Sequence, residues 1–255
     1  MAPLKENLEK LDATIEQACR RAGRTRDEIE LMAVSKTYPA TTICEAAAMG
    51  LYLFGENRVQ EFAAKSAELA ALRAAGSVAA VDDCIAVHLI GHLQSNKASR
   101  AAELFDGVDS LDSVRLAERL NEAAARLGKR LPVLIEVKLS QEETKSGVEP
   151  ESNEAVQLLE RLPDLARLDT RGLMTIAPWG VAEDVTRACF RSLRQWRDRW
   201  ATAHPRLRLD VLSMGMSGDF PVAIEEGATR IRIGTALFGP RKKQISDQMN
   251  QAGPA

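Results

Sequence analysis

No two cysteines in this chain stand in a CxxC pair. The four, Cys19, Cys44, Cys84 and Cys189, are scattered over 255 residues. Neither a disulfide framework nor a zinc site is expected, and isolated buried or surface thiols are. No apolar run approaches the length of a membrane span. The opening stretch MAPLKENLEKLDATIEQACRRAG is too charged for a signal peptide, so a cytoplasmic protein is expected. Basic blocks are missing too. With a net charge of -2 and a pI of about 6.0, nucleic-acid binding is not expected. Several chemical signatures are also missing. There is no GxGxxG and no G-x-S-x-G elbow. Gly50 and Gly55 have the glycine spacing of a P-loop without its lysine and hydroxyl. His88 and His92 are four apart but stand in a strand-like segment without a cluster of ligands. Packing or a hydrogen bond is expected of them rather than a metal.

What is present is ordinary for a globular protein: 45% hydrophobic and 27% charged residues. The length fits one large domain or two small ones, and an α/β barrel uses it as one. Residues 4–23 have helical spacing, with Leu4, Leu8, Leu11, Ile15 and Cys19 on one face. Strand-like runs follow at 30–35, 51–54, 87–91, 105–109, 132–139, 169–176, 209–213 and 229–233. Helical patterns lie between them, at about 40–49, 57–72, 95–103, 112–127, 151–161, 182–202 and 219–226, and another after 240. Eight strands alternating with helices predict an α/β fold, a single (β/α)8 TIM-type barrel with an extra N-terminal helix. A doubly wound open sheet is the alternative. Residues 73–83 read as a surface loop. Residues 1–240 are expected to form the barrel and 241–255 a C-terminal tail.

The segment LMAVSKTYPA at 31–40 is an apolar run that turns polar at Ser35 and Lys36. Lys36 at the end of a buried strand has two readings: a snorkelling side chain, or an amine used as a nucleophile. In a barrel the chemistry gathers at the C-terminal ends of the strands. That rim carries Lys36, FGENRVQEF, GHLQSNK, DSLDS, KLSQEETKSG, MTIAPWG, SMGMSGDF and RIRIGTALFG. SMGMSGDFPVAIEEGA combines turn glycines with a helix start, where Ser217 or Asp219 can cap and Pro221 fits the first turn. IGTALFG is similar. Either segment alone reads as ordinary turn glycines; together, after adjacent strands, they form a candidate phosphate cup. Arg230 and Arg232 alternate with isoleucine and face the barrel interior if Ile231 and Ile233 pack outward. Each then needs an acceptor, in a salt bridge with Glu56, Glu136 or Asp210, or in a ligand. A lysine nucleophile with a phosphate cup points to pyridoxal 5'-phosphate (PLP) held as a Schiff base.

The segments AVSKTYP, FGENRVQEF, HLIGHLQSNK, SLDS, SGVEP, RGLMTIAP and LSMGMSGDFPVAIEEGATRIRIGTALFG, over roughly residues 5–240, resemble the YggS/PROSC family of PLP homeostasis proteins. The resemblance implies a single barrel similar to the N-terminal domain of alanine racemase. It implies that Lys36 is the Schiff-base lysine and that Asn57 lies beside the cofactor. Ser213 and the backbone around Met214, Gly234 and Thr235 would hold the phosphate, and Arg232 would meet the pyridine nitrogen. Lys145 matches a family lysine and also reads as a solvated loop residue.

An arginine at the pyridine nitrogen does not give up its proton, so the ring is a weak electron sink. Racemisation also needs acid–base groups on both faces of the substrate carbon, and the tyrosines are Tyr38 and Tyr52 alone. The expected function is therefore a carrier or buffer of PLP for vitamin B6 homeostasis, without strong catalysis of its own. It would be a monomer that serves PLP-dependent apoenzymes. A PLP-dependent amino-acid racemase of the alanine racemase type is the alternative, and a cofactor-free lysine aldolase a weaker one.

Overall fold

In this computed structural model the described residues are 2–74, 85–140 and 146–240. Cys84, Lys145, the 73–84 loop beyond Ala74 and the tail with its expected helix lie outside them. The strands are β1 (Glu30–Val34), β2 (Leu53–Glu56), β3 (Ala86–Leu89), β4 (Gly107–Leu111), β5 (Leu131–Glu136), β6 (Leu168–Met174), β7 (Val211–Ser213) and β8 (Arg230–Ile233). All pair in parallel in chain order, and β1 closes on β8. The barrel, not the open sheet, is therefore the fold. Both faces of each strand are covered, so β1 and β5 read as nearly continuous apolar runs.

The helices are α1 (Ala2–Arg21), α2 (Ala40–Ala47), α3 (Val59–Ala74), α4 (Ala98–Leu104), α5 (Val114–Arg126), α6 (Asn153–Arg161), α7 (Glu183–Ala203), α8 (Phe220–Glu225) and α9 (Thr235–Phe238). Their apolar stripes explain their seating. On α5, Leu116, Ala117, Leu120, Ala123 and Ala124 are buried, a helical repeat begun by the Ser113 hydroxyl accepting from Leu116 N. The extra helix α1 buries Leu4, Leu11, Ile15, Ala18 and Cys19. Its Asn7 donates to Leu237 O, and Arg21 pairs with Glu225. It is thus tied to the elements that follow β7 and β8.

Two strands lie further along the chain than the apolar runs predict. β2 continues through Gly55 and Glu56, because Lys65 of α3 neutralises the buried Glu56 carboxylate at 2.6 Å. β4 begins at Gly107, and Phe105 instead packs against Phe62 with ring centroids 4.8 Å apart.

Arg230 and Arg232 are both buried, as their parity predicts, but their acceptors differ from those expected. Arg230 pairs with Glu30 at 2.6 Å and with Asp109 at 3.0 Å. Asp109 Oδ1 lies 2.8 Å from His88 Nδ1. Glu56 turns to Lys65, and Asp210 pairs with Arg208 at the surface. The reason is layering: β4 brings Asp109 to the level of the start of β8. Burial pushes the Asp109 carboxyl up, but His88 and Arg230 outweigh it and hold it below the usual range.

Candidate functional site

At the C-terminal ends of the strands a cavity of about 440 Å³ opens. Lys36, Asn57, Arg232, Gly234 and Thr235 all line it. Five of the seven residues expected at the site are thereby brought together from β1, β2 and β8. Val34, Ile90 and Ile176 form apolar wall, while His92, Glu136, Ser146 and Met216–Asp219 add polar groups.

Lys36 lies two residues beyond the end of β1 and is half-buried. Ser35 N still donates to Gly55 O at 3.1 Å, so the lysine leaves the barrel where the ladder ends. Asn57 stands at the corresponding point of β2. Its backbone packs so closely on Gly91 that a Cβ there would lie 2.2 Å from Asn57 O. Glycine at 91 is what allows these two rim loops to touch.

Arg232 is held from behind. Its Nη1 donates to Ser213 O at 2.7 Å and Ser213 Oγ at 3.0 Å, and its Nη2 to Thr175 O at 2.8 Å. A guanidinium has five N–H donors, so Nε–H and one hydrogen on Nη2 remain for the cavity. Burial pushes its pKa down, while Asp109, Glu136 and Asp219 pull it up.

Ser213 and Met214 do not line the cavity. Both are fully buried. Ser213 spends its hydroxyl on Arg232, and Met214 N donates to Arg230 O. The lining comes from the next residues, Met216, Ser217 and Gly218. Gly215 makes the turn at φ +95°, where a Cβ would lie 2.6 Å from Ala223 Cβ. Neither Ser217 nor Asp219 caps α8 with its side chain. The Asp219 carboxylate accepts from Met216 N, and Ser217 Oγ accepts from Ala236 N, lacing the two loops together. The N–H groups of Ser217, Gly218, Gly234 and Thr235 meet no acceptor among the described residues. A cluster of open N–H groups on two laced loops is a concavity for an anion.

Four lining residues lay in the rim segments or were named as an arginine partner, but had no site role in the sequence analysis. Glu136 ends β5, with Ser146 Oγ at 3.2 and 3.1 Å from its two oxygens. Burial raises its pKa to about 7, with Asp112 adding to the rise and Ser146, Arg232 and His92 opposing it. His92 lies beyond β3 rather than on it, with Nδ1 3.1 Å from Asp112. Ile176 and Trp179 follow β6, and Trp179 is 88% exposed. The signal available for all four was their place at or soon after the end of a strand. Tyr38 donates to Gly239 O and packs on Phe238, and no tyrosine is among the residues lining the cavity. Among the described residues no group of three metal-ligating side chains occurs, and no helix is long and apolar enough to cross a membrane.

Comparison with known proteins places the chain in a family. Residues 7–242 match the model of the alanine racemase N-terminal domain. The pyridoxal phosphate homeostasis protein of Vibrio cholerae is 40% identical over 250 residues, covering 94% of this chain and 98% of that protein. The chain belongs to the pyridoxal phosphate homeostasis protein family. The family member of the same description from Pseudomonas aeruginosa is 42% identical over 94% of this chain and 97% of its own length. Among solved structures, PipY of Synechococcus elongatus with PLP bound is 44% identical, with a TM-score of 0.74 over 83% of this chain and 93% of that one. An alanine racemase of Clostridium difficile is 17% identical, with a TM-score of 0.68 over 96% of this chain and 58% of that one. At that identity the likeness is one of fold, and it confirms the barrel expected for this family.

Proposed function

We propose that this protein binds PLP through Lys36 and carries or buffers it for intracellular vitamin B6 homeostasis. The observation that carries the reading is the anchoring of Arg232. Three acceptors hold it from behind, two hydrogens stay open, and the same cavity contains Lys36 and four open backbone N–H groups. An amine, a fixed cation and an anion cup are the groups that an aldehyde, a pyridine nitrogen and a phosphate require. Relatives named for PLP homeostasis and a PLP-bound neighbour support the same assignment.

When bound, PLP supplies an aldehyde that condenses reversibly with amines. The chain's own residues bind and orient it. Lys36 offers the amine. Ser217, Gly218, Gly234 and Thr235 offer N–H groups to the phosphate, with little formal charge. Arg232 would offer its remaining N–H groups to the pyridine nitrogen, and a donor there would keep that nitrogen unprotonated. Ser213 and Thr175 hold Arg232, and Asn57, which lines the same cavity, would lie beside the cofactor. Met214 acts from below by fixing the chain between Ser213 and Gly215.

The carrier reading is favoured over a racemase by the same arginine, by the absence of a tyrosine from the lining, and by a rim that, among the described residues, leaves Trp179 88% exposed. An open mouth suits release and does not protect a carbanion from water. The proposal includes a cytoplasmic monomer that hands PLP to apoenzymes.

Reduction of the loaded protein with borohydride should fix the cofactor on the peptide containing Lys36, and Lys36→Ala should lose the visible band. The purified loaded protein should activate a PLP-dependent apoenzyme and turn over no amino acid in a panel of D and L forms. Lys36-dependent turnover at about 1 per second or more would replace this reading by the racemase.

A further inference from the structure

The turn that presents Lys36 is gripped on both sides by residues that do not line the cavity. On its N-terminal side, Ser35 Oγ donates to Glu56 Oε1 at 2.7 Å, and Lys65 Nζ donates to Ser35 O at 2.9 Å. Glu56 and Lys65 are themselves paired at 2.6 Å, and both are buried. On the C-terminal side, Thr37 N donates to Glu61 Oε1 at 2.5 Å. Tyr38 N closes the turn onto Ser35 O at 3.1 Å.

Two features set this arrangement apart from ordinary packing. Thr37 has φ +69° and is the only non-glycine residue with positive φ among those described. A β-branched residue is strained there and persists only when its surroundings hold it. Glu56 Oε2, moreover, is buried without a hydrogen-bond donor. Such an orphan is costly, so the pair is not arranged for stability alone.

We infer that Glu61, together with the Glu56–Lys65 pair, is a positioning device for Lys36. The three side chains clamp the residues before and after it and keep its amine turned into the cavity. None touches the cofactor site, and Glu61 is the member whose removal releases the strained residue directly. The inference rests on the reading of Lys36 as the attachment residue, and its test separates the two.

The test is pulse labelling of the cofactor-free protein with an amine-selective acylating reagent, read lysine by lysine by mass spectrometry across pH, with exposed Lys5 as internal reference. Glu61→Ala should raise Lys36 labelling relative to Lys5 roughly tenfold, the population change that strain of this class can hold in check. In the same variant, PLP affinity should fall by a similar factor. Glu61→Gln keeps an oxygen that accepts from Thr37 N, so both quantities should stay within about twofold of the parent protein. Glu61 is partly exposed, so both variants are expected to fold. If Glu61→Ala lowers the thermal midpoint but leaves Lys36 labelling and PLP affinity unchanged, the role is structural and the inference fails. If Lys36→Ala keeps full PLP binding, the attachment reading fails, while the labelling still decides whether Glu61 positions the lysine.

Discussion

Arg232 donates through one nitrogen to both the carbonyl and the hydroxyl oxygen of Ser213. The two residues sit on neighbouring strands, β8 and β7. This relationship turns a flexible side chain into a fixed one and changes the role of Ser213. On the proposed reading, the serine orients the arginine. Ser213→Ala should therefore weaken PLP binding about tenfold, the worth of a hydrogen bond to a charged group. The loss should be equal for PLP and pyridoxal, since the phosphate is not involved. Titration of the visible band with both ligands checks it, and a loss confined to PLP would return Ser213 to the phosphate cup.

Gly234→Val should act in the opposite pattern. The three nearest atoms to a Cβ at this position all belong to Val34, at 3.5 Å or more, which is ordinary contact, so the barrel should tolerate it. The valine side chain would occupy space beside open N–H groups. PLP affinity should fall by about a hundredfold or more, as expected for losing several charge-assisted contacts, and pyridoxal affinity much less. Equal losses would argue against a phosphate site here.

Glu136 makes stability fall with rising pH. Its folded pKa, about 7, is above its ordinary value of 4.5. The folded state therefore holds a proton that the unfolded state has lost between those values, and the stability is present below that window and lost as pH rises through it. The loss reaches about 3 kcal/mol at most. Glu136→Gln cannot ionise and should flatten the decline. Urea midpoints at pH 5, 6, 7 and 8 for both proteins, without cofactor, check this. Parallel curves would show that Glu136 does not titrate in this range.

Asp109 behaves in the reverse sense. Its carboxyl lies below the usual range, so its contribution is present above the unfolded pKa and lost as pH falls through the folded one. Asp109→Ala leaves Arg230 buried with Glu30 alone and should cost about 3–5 kcal/mol. Chemical denaturation at pH 7 measures it. A cost under about 1 kcal/mol would mean that Glu30 and solvent suffice for Arg230.

Much of the site was legible because it is local. Lys36 marks the place where an apolar strand turns polar. The alternation of Arg230, Ile231, Arg232 and Ile233 states which side faces inward. Glycines at 215, 218 and 234 announce turns after β7 and β8. Less legible were the residues whose role depends on distant chain. Ser213 sits at the end of a strand, where a ligand-binding residue is expected, and only the fold shows that its hydroxyl accepts from Arg232. Glu136 and His92 carry no motif of their own. The apolar-run reading ends β2 at Phe54, because it cannot foresee that Lys65 neutralises Glu56.

What the sequence by itself determined is the alternation of eight strands with helices, the inward parity of the arginines, and the rim on which the reactive residues fall. These follow from periodicity and turn chemistry within a few residues. The tertiary structure alone decided that Arg230 is satisfied by Asp109 and Glu30, that Ser217, Gly218, Gly234 and Thr235 line one cavity, and that Thr37 is held in a strained turn by Glu61. Each of these is a pairing across the closed barrel or between a strand and the helix behind it. Closure sets which inward side chains share a layer, and no local pattern in the chain encodes that geometry.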